Sequence, residues 1–287
     1  MSRVKIRYRA ISCLLVGLFS SVVAEPLRVA SQTVGTDEML LAVAAPEQIA
    51  ALSHISRERA FSAVASEAEA YPSIDRGDAE TILKYRPDLV LVADYSRGEL
   101  VAQLKRAGVE VMSFGNYASL DDAFDNLRVL AERLGPAAEV RAETVIADVQ
   151  TRAAKLRERL VGATPVKVIA PSTYGVIGGA GTTFQDLCDF AAAENLAATL
   201  GGLEGHAPIP REQMLTWPVE KVVVSGDDVD SALAPFRRLP PYQFMPAVRE
   251  ARVALIESYM LSSVTHHRIE GYERLARELH PERFEEN

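Results

Sequence analysis

The chain has 287 residues, with 31 Lys and Arg against 39 Asp and Glu, and a formal net charge of −8. Such an acidic balance argues against nucleic acid as a partner, because that affinity rests on Lys and Arg neutralising phosphates. It argues equally against lying on an anionic membrane surface. Two cysteines, Cys13 and Cys188, give no disulfide framework.

Residues 1–24 read as a cleaved signal peptide. Arg3, Lys5, Arg7 and Arg9 form a basic head without an acid, Ala10 to Val23 is uncharged, and Val22-Val23-Ala24 suits cleavage. The apolar run is shorter than the ~20 residues a membrane-spanning helix needs. Cys13 precedes most of that run, where a lipid-modified cysteine would follow it. Cleavage would remove four positive charges and leave Cys188 alone, in a helical stretch where it reads as a small buried hydrophobe.

Beyond that leader, strand and helix signals alternate. Leu27 to Ser31 reads as a strand, Glu38 to Ala45 as a helix, and Ala79 to Tyr85 as a helix stopping before Pro87. Leu89 to Ala93 is an apolar run typical of a buried parallel strand. Leu100 to Ala107 is helical up to Gly108, and Val109 to Phe114 is the next strand. This order predicts parallel sheets covered by helices.

A long helical stretch follows, divided by Gly135-Pro136. Its second piece, Ala137 to Leu160, would span roughly 36 Å at 1.5 Å per residue. It reads as a spine between two lobes, the alternative being a long surface helix of one domain. The expected organisation is an N-terminal lobe over residues 25–134, a linking helix over 135–162 and a C-terminal lobe over 163–287.

The second half echoes the first. Thr36-Asp37-Glu38-Met39-Leu40-Leu41 compares with Thr183-Phe184-Gln185-Asp186-Leu187-Cys188, and eleven residues after each threonine come Glu47-Gln48-Ile49 and Glu194-Asn195-Leu196. Glu80 and Glu212 each open a helical segment, with an acid at +8 (Asp88, Glu220) and valines at +10 and +12. Two matched lobes would hold a ligand between the carboxyl ends of their strands.

Candidate ligand contacts therefore come from loops after strands. In the first lobe they are Gln32, His54, Tyr95, Arg97 and Tyr117, and in the second Tyr174, Asp227 and Tyr259. Tyrosine combines a large contact face with a polar tip, arginine can fork onto carboxylates, and His54 has the loop position for a metal contact. His266-His267 reads as helix surface, since neighbours on a helix point about 100° apart. No Cys or His cluster has structural-metal spacing. The Gly-rich stretch Gly175 to Gly181 lacks nucleotide-loop and dinucleotide spacing and reads as a flexible entry to the next helix. No catalytic constellation is visible and no cofactor is implied.

Several segments resemble the solute-binding proteins for cobalamin, iron-siderophores and haem. They are Arg28-Val29-Ala30-Ser31, Thr36-Asp37-Glu38, Ala79 to Leu91 with its Arg86-Pro87-Asp88-Leu89, Pro210 to Leu215, and Leu279 to Phe284. The resemblance implies an α/β fold of two Rossmann-like lobes joined by one long helix, with the ligand cleft between them. It implies a monomeric periplasmic component of an ABC importer, working with a permease dimer and its ATPase subunits. It also implies a small-molecule ligand that is itself a metal chelate, haem, iron-siderophore or corrinoid, and docking of Glu80 and Glu212 onto permease arginines. A free-metal-ion receptor of the related family, and a periplasmic enzyme, are the alternative readings.

Overall fold

A computed structural model describes residues 25–285; the expected signal peptide lies outside the described residues. The first lobe is built on five parallel strands, β1 (Val29–Ser31), β2 (Ile49–Ser53), β3 (Ser73–Ile74), β4 (Leu89–Ala93) and β5 (Glu110–Phe114), in the order β3-β2-β1-β4-β5. Every residue of β4 is buried, as an uninterrupted apolar run in a doubly covered sheet requires.

The second lobe holds β6 (Val166–Ile169), β7 (Val176–Gly178), β8 (Ala193–Asn195), β9 (His206–Pro208), β10 (Lys221–Ser225) and β11 (Val253–Ile256). Four of these form a parallel sheet in the order β11-β10-β6-β8. The same winding relates β1 to β6, β2 to β8, β4 to β10 and β5 to β11. The pairing that departs is antiparallel, β7 with β9.

That ribbon corrects the reading of Gly175 to Gly181 as a flexible entry. Gly178 is opposite His206 in the ribbon, and a Cβ on Gly179 would meet the Leu203 carbonyl at 2.2 Å. Glycine serves here for close backbone approach.

The helix after β1 runs Val34–Val43, four residues ahead of the expected start. Thr33 caps it, its hydroxyl accepting from the Thr36 amide at 3.3 Å in a reciprocal box, which supplies a partner to an otherwise orphaned first-turn N–H.

The helix Leu120–Leu134 ends at Gly135, whose φ of 105° closes the turn, and the linking helix Pro136–Arg159 begins at once. Ala138, Ala142, Ile146, Val149, Ala153 and Leu156 form its buried stripe, at the spacing of one helix face. These residues share a single apolar core with Leu40, Leu89 and Phe124 of the first lobe and Leu187, Tyr272 and Leu275 of the second. Arg152 adds two parallel bonds to Glu273 at 3.0 and 2.7 Å. The two lobes thus meet along an unbroken core under the helix.

His266 and His267 correct a further expectation. They lie in the turn before the helix Arg268–Leu279, and His266 is only 8% exposed. Their segment faces the first lobe instead of solvent, because Val264 and Thr265 press against the start of the Val34–Val43 helix. A Cβ on Gly35 would meet Val264 Cγ2 at 2.7 Å.

Candidate functional site

In each parallel sheet all carboxyl ends point one way, so the loops that follow them share one face. Between those faces lies a cavity of about 710 Å³. The first lobe lines it with Arg59, Ala60 and the run Ser62 to Glu67, from the segment after β2, and the second with Gly226 and Asp227 after β10 and Glu257, Ser258 and Tyr259 after β11. Asp227 and Tyr259 are the sequence-proposed residues in this lining. Arg59, Ser62 and Glu67 escaped the sequence reading, which followed the loop only as far as Ser56.

The other proposed residues stand around the cavity and outside its lining. Gln32 Oε1 accepts from Ser96 Oγ at 2.8 Å, and Arg97 Nη2 donates to the Gly77 backbone carbonyl at 3.1 Å, so these two brace neighbouring loops. His54 Nδ1 lies 3.1 Å from the Ile74 carbonyl. A carbonyl only accepts, so Nδ1 carries the proton and Nε2 is left outward. The Tyr117 hydroxyl donates to the Phe114 carbonyl, and its ring is 6.5 Å from that of Tyr95. Tyr95 is 73% exposed and Tyr174 91%. Neither lines the cavity. Tyr95 stands in the turn after β4, which β1 separates from β2, and the first-lobe lining comes from the segment after β2.

Tyr259 also departs from its expected loop, in the first turn of the short helix Ser258–Ser262. Its hydroxyl donates to Glu270 Oε2 at 2.7 Å, while His267 Nδ1 holds Glu270 Oε1 at 2.9 Å. Burial, reinforced by the Glu270 carboxylate, pushes the Tyr259 phenol well above its usual range, so it presents a neutral hydroxyl and ring. Burial pushes Glu270 upward too, but its bonds to His267 and Tyr259 hold it below the usual carboxylate range. For His267, burial works against protonation, and Glu270 with Glu38 more than offsets it. His266 has no such partner and burial drives its pKa down to about 3. Glu38 is 3% exposed, and burial raises its pKa.

Glu80 and Glu212 are both exposed. Glu80 lies 3.6 Å from Lys84 across one helical turn. Each helix starts where a strand has just run out toward the cleft, as Gly77 next to Arg97, and Ile209 bonded to the Gly175 carbonyl at 3.2 Å, demonstrate. Both glutamates therefore belong to the face on which the cleft opens. Among the described residues no group of three or more His, Cys, Asp or Glu side chains is arranged to hold a metal ion.

Two parallel-sheet lobes, one linking helix and a cavity shared between them define an architecture, and the family's sequence model, described as periplasmic binding protein, matches residues 29–260. The chain belongs to the periplasmic binding protein family. Solved structures of the family share its fold. The periplasmic heme-binding protein RhuT from Roseiflexus sp. RS-1, in apo form, superposes with a TM-score of 0.75 at 20% identity, covering 90% of this chain and 99% of that one. A periplasmic heme-binding protein from Pseudomonas aeruginosa gives 0.74 at 21% identity, covering 89% and 93%. The vitamin B12-binding protein BtuF of Vibrio cholerae gives 0.67 at 17% identity, covering 91% and 99%. No curated protein matches. At these identities the likeness speaks for the fold, and the chemistry must come from this chain's own cleft.

Proposed function

We propose that this periplasmic binding protein captures a metal chelate between its lobes and delivers it to an ABC importer of the inner membrane. The observation that carries the reading is the cavity of about 710 Å³ lined from both lobes, a size within the range of small-molecule sites. Its lining combines the ring and neutral hydroxyl of a phenol (Tyr259) with further hydroxyls on both walls (Ser62, Ser66, Ser258). Such a lining can stack on a flat macrocycle or chelate while hydrogen-bonding its periphery. Relatives of the same fold named as heme-binding and vitamin B12-binding support a haem, corrinoid or iron-siderophore ligand. In this reading residues 1–24 export the chain to the periplasm, and Glu80 and Glu212 meet arginines of the permease dimer on the cleft face.

The test is the absorbance spectrum of the protein purified from its native periplasm. A Soret, corrin or ferric charge-transfer band, lost on stripping and regained with the corresponding chelate, is the expected result. Protein without any such band, and without spectral change on adding haemin, cyanocobalamin or a ferric hydroxamate, would contradict it.

A further inference from the structure

The two walls of the cleft are joined by one hydrogen-bonded chain with a buried bond at its centre. In the first-lobe wall, the Ala63 amide donates to Glu38 Oε1 at 3.1 Å. The other carboxylate oxygen, Oε2, accepts from Thr265 Oγ1 of the second lobe at 2.6 Å, a contact between residues 227 positions apart. Thr265 Oγ1 in turn accepts from the His267 amide at 3.3 Å, His267 holds Glu270, and Glu270 holds the hydroxyl of Tyr259 in the second-lobe wall. Glu38 and Thr265 are 3% and 1% exposed. A polar group left unpaired at that central bond would carry its full desolvation cost.

We propose that Glu38 is a positioning residue for solute capture: it fixes the Arg59–Glu67 wall against the Tyr259 wall by bonding both lobes through one carboxylate. The inference rests on the reading of this cavity as the solute site. Three features make the carboxylate suited to the task. Each oxygen serves a different lobe, so neither wall can shift without lengthening a bond to this carboxylate. The residue stands in the first half of the Val34–Val43 helix, whose own start is seated against Val264 with no room for a Cβ at Gly35. The side chain it reaches, Thr265, lies two residues from His267, the group that orients Glu270 toward Tyr259. The ligand-contacting groups at the two ends, Ala63 and Tyr259, are thereby set by a residue that need not touch the solute.

Two readouts test this in the full-length protein. The first is solute-free: exchange of the Ala63 amide proton with solvent, followed by NMR in wild type, Glu38→Ala, Glu38→Gln and Thr265→Val. Thr265→Val has no contact with Ala63, so a merely local role leaves that amide alone. The positioning role predicts faster Ala63 exchange in both Thr265→Val and Glu38→Ala. Near-wild-type exchange is expected in Glu38→Gln, whose amide can still accept from Ala63 and donate to the threonine oxygen. The second readout is the dissociation rate of whichever probe, haemin or cyanocobalamin, binds wild type. It should rise about tenfold in Thr265→Val, the equivalent of one lost buried hydrogen bond at ~1.4 kcal/mol, with little change in Glu38→Gln. Wild-type exchange at Ala63 in a folded Thr265→Val would overturn the proposal, as would an unchanged dissociation rate in that variant. If neither probe binds wild type, the solute reading is what fails, and the Ala63 exchange still decides whether Glu38 couples the lobes. Thr265→Ser, which keeps the hydroxyl, serves as the folded control should Glu38→Ala not accumulate.

Discussion

Asp88 and Glu220 make the same pair of bonds in the two lobes. The Asp88 amide donates to the Arg28 carbonyl at 2.8 Å, and its carboxylate accepts from the Arg28 amide at 2.9 Å. The Glu220 amide donates to the Lys167 carbonyl at 2.9 Å, and its carboxylate accepts from the Lys167 amide at 2.7 Å. Each acid thus clamps the amino end of its lobe's central pair, β1 with β4 and β6 with β10, and the repeat seen in the sequence has a physical content. Asp88→Ala and Glu220→Ala should each cost about 0.5–1.5 kcal/mol, the net value of a typical hydrogen bond, read as a shift in urea midpoint with unchanged slope. Equal stability in both variants would show that the clamps are ornamental.

The same repeat places Glu80 and Glu212 equivalently, on the face where the cleft opens. Exposed carboxylates at an interface mainly govern encounter and register. The double reversal Glu80→Arg with Glu212→Arg should abolish stimulated ATP hydrolysis by the importer in vesicles and leave chelate affinity close to wild type. Each single reversal should give a partial loss. Stability should move by less than ~0.5 kcal/mol, as is usual for exposed sites. Loss of chelate binding with stimulation intact would assign both residues to the cleft instead.

Within the cleft the two tyrosines should separate clearly. Tyr259→Ala removes a ring that lines the cavity and should weaken chelate binding by ~1–3 kcal/mol, by analogy with aromatic stacking on flat bases. Tyr174→Ala, at a position 91% exposed, should leave affinity unchanged. Isothermal titration with the chelate found in the native protein reads both. The reverse pattern would move the solute to the rim.

His266 and His267 should act on stability in opposite directions. His266 has a folded-state pKa depressed from 6.5 to about 3. The unfolded chain therefore binds the extra proton first, and stability falls as pH drops through that window. His267 has a raised folded-state value. Its contribution is present below the unfolded pKa and is lost as pH rises through the folded one. His266→Leu removes the first term and should flatten the decline of the urea midpoint between pH 6.5 and pH 4. A decline as steep as wild type would mean that other groups set it.

Local patterns made much of the fold legible. The β4 run, the Gly135-Pro136 break and the stripe from Ala138 to Leu156 are all written in consecutive or periodic residues. The repeat was legible too, with one slip of register. Sequence aligned Ile49 with Leu196, yet Ile49 opens β2 whereas Leu196 opens the short helix after β8. The second lobe reaches its strand three residues sooner, and identity of residue types cannot reveal that. Two proposed contacts, Asp227 and Tyr259, do line the cavity, because loops after parallel strands must share a face. Arg59 and Ser62 were missed because their loop runs on well beyond its strand. The Glu38–Thr265 bond was invisible for a different reason. It joins residues 227 positions apart across two lobes, and no periodicity reports on how two lobes are seated. The same seating buries His266, which reads as surface when only its own helix is considered.

The most direct test of solute capture between the lobes is a crystal structure of the protein isolated with its chelate. The account predicts solute density in contact with both walls at once, against Arg59, Ser62 or Glu67 on one side and Asp227 or Tyr259 on the other. Density held by one lobe alone, or lying on the rim at Tyr174 with the cavity between Ser62 and Tyr259 unoccupied, would contradict it.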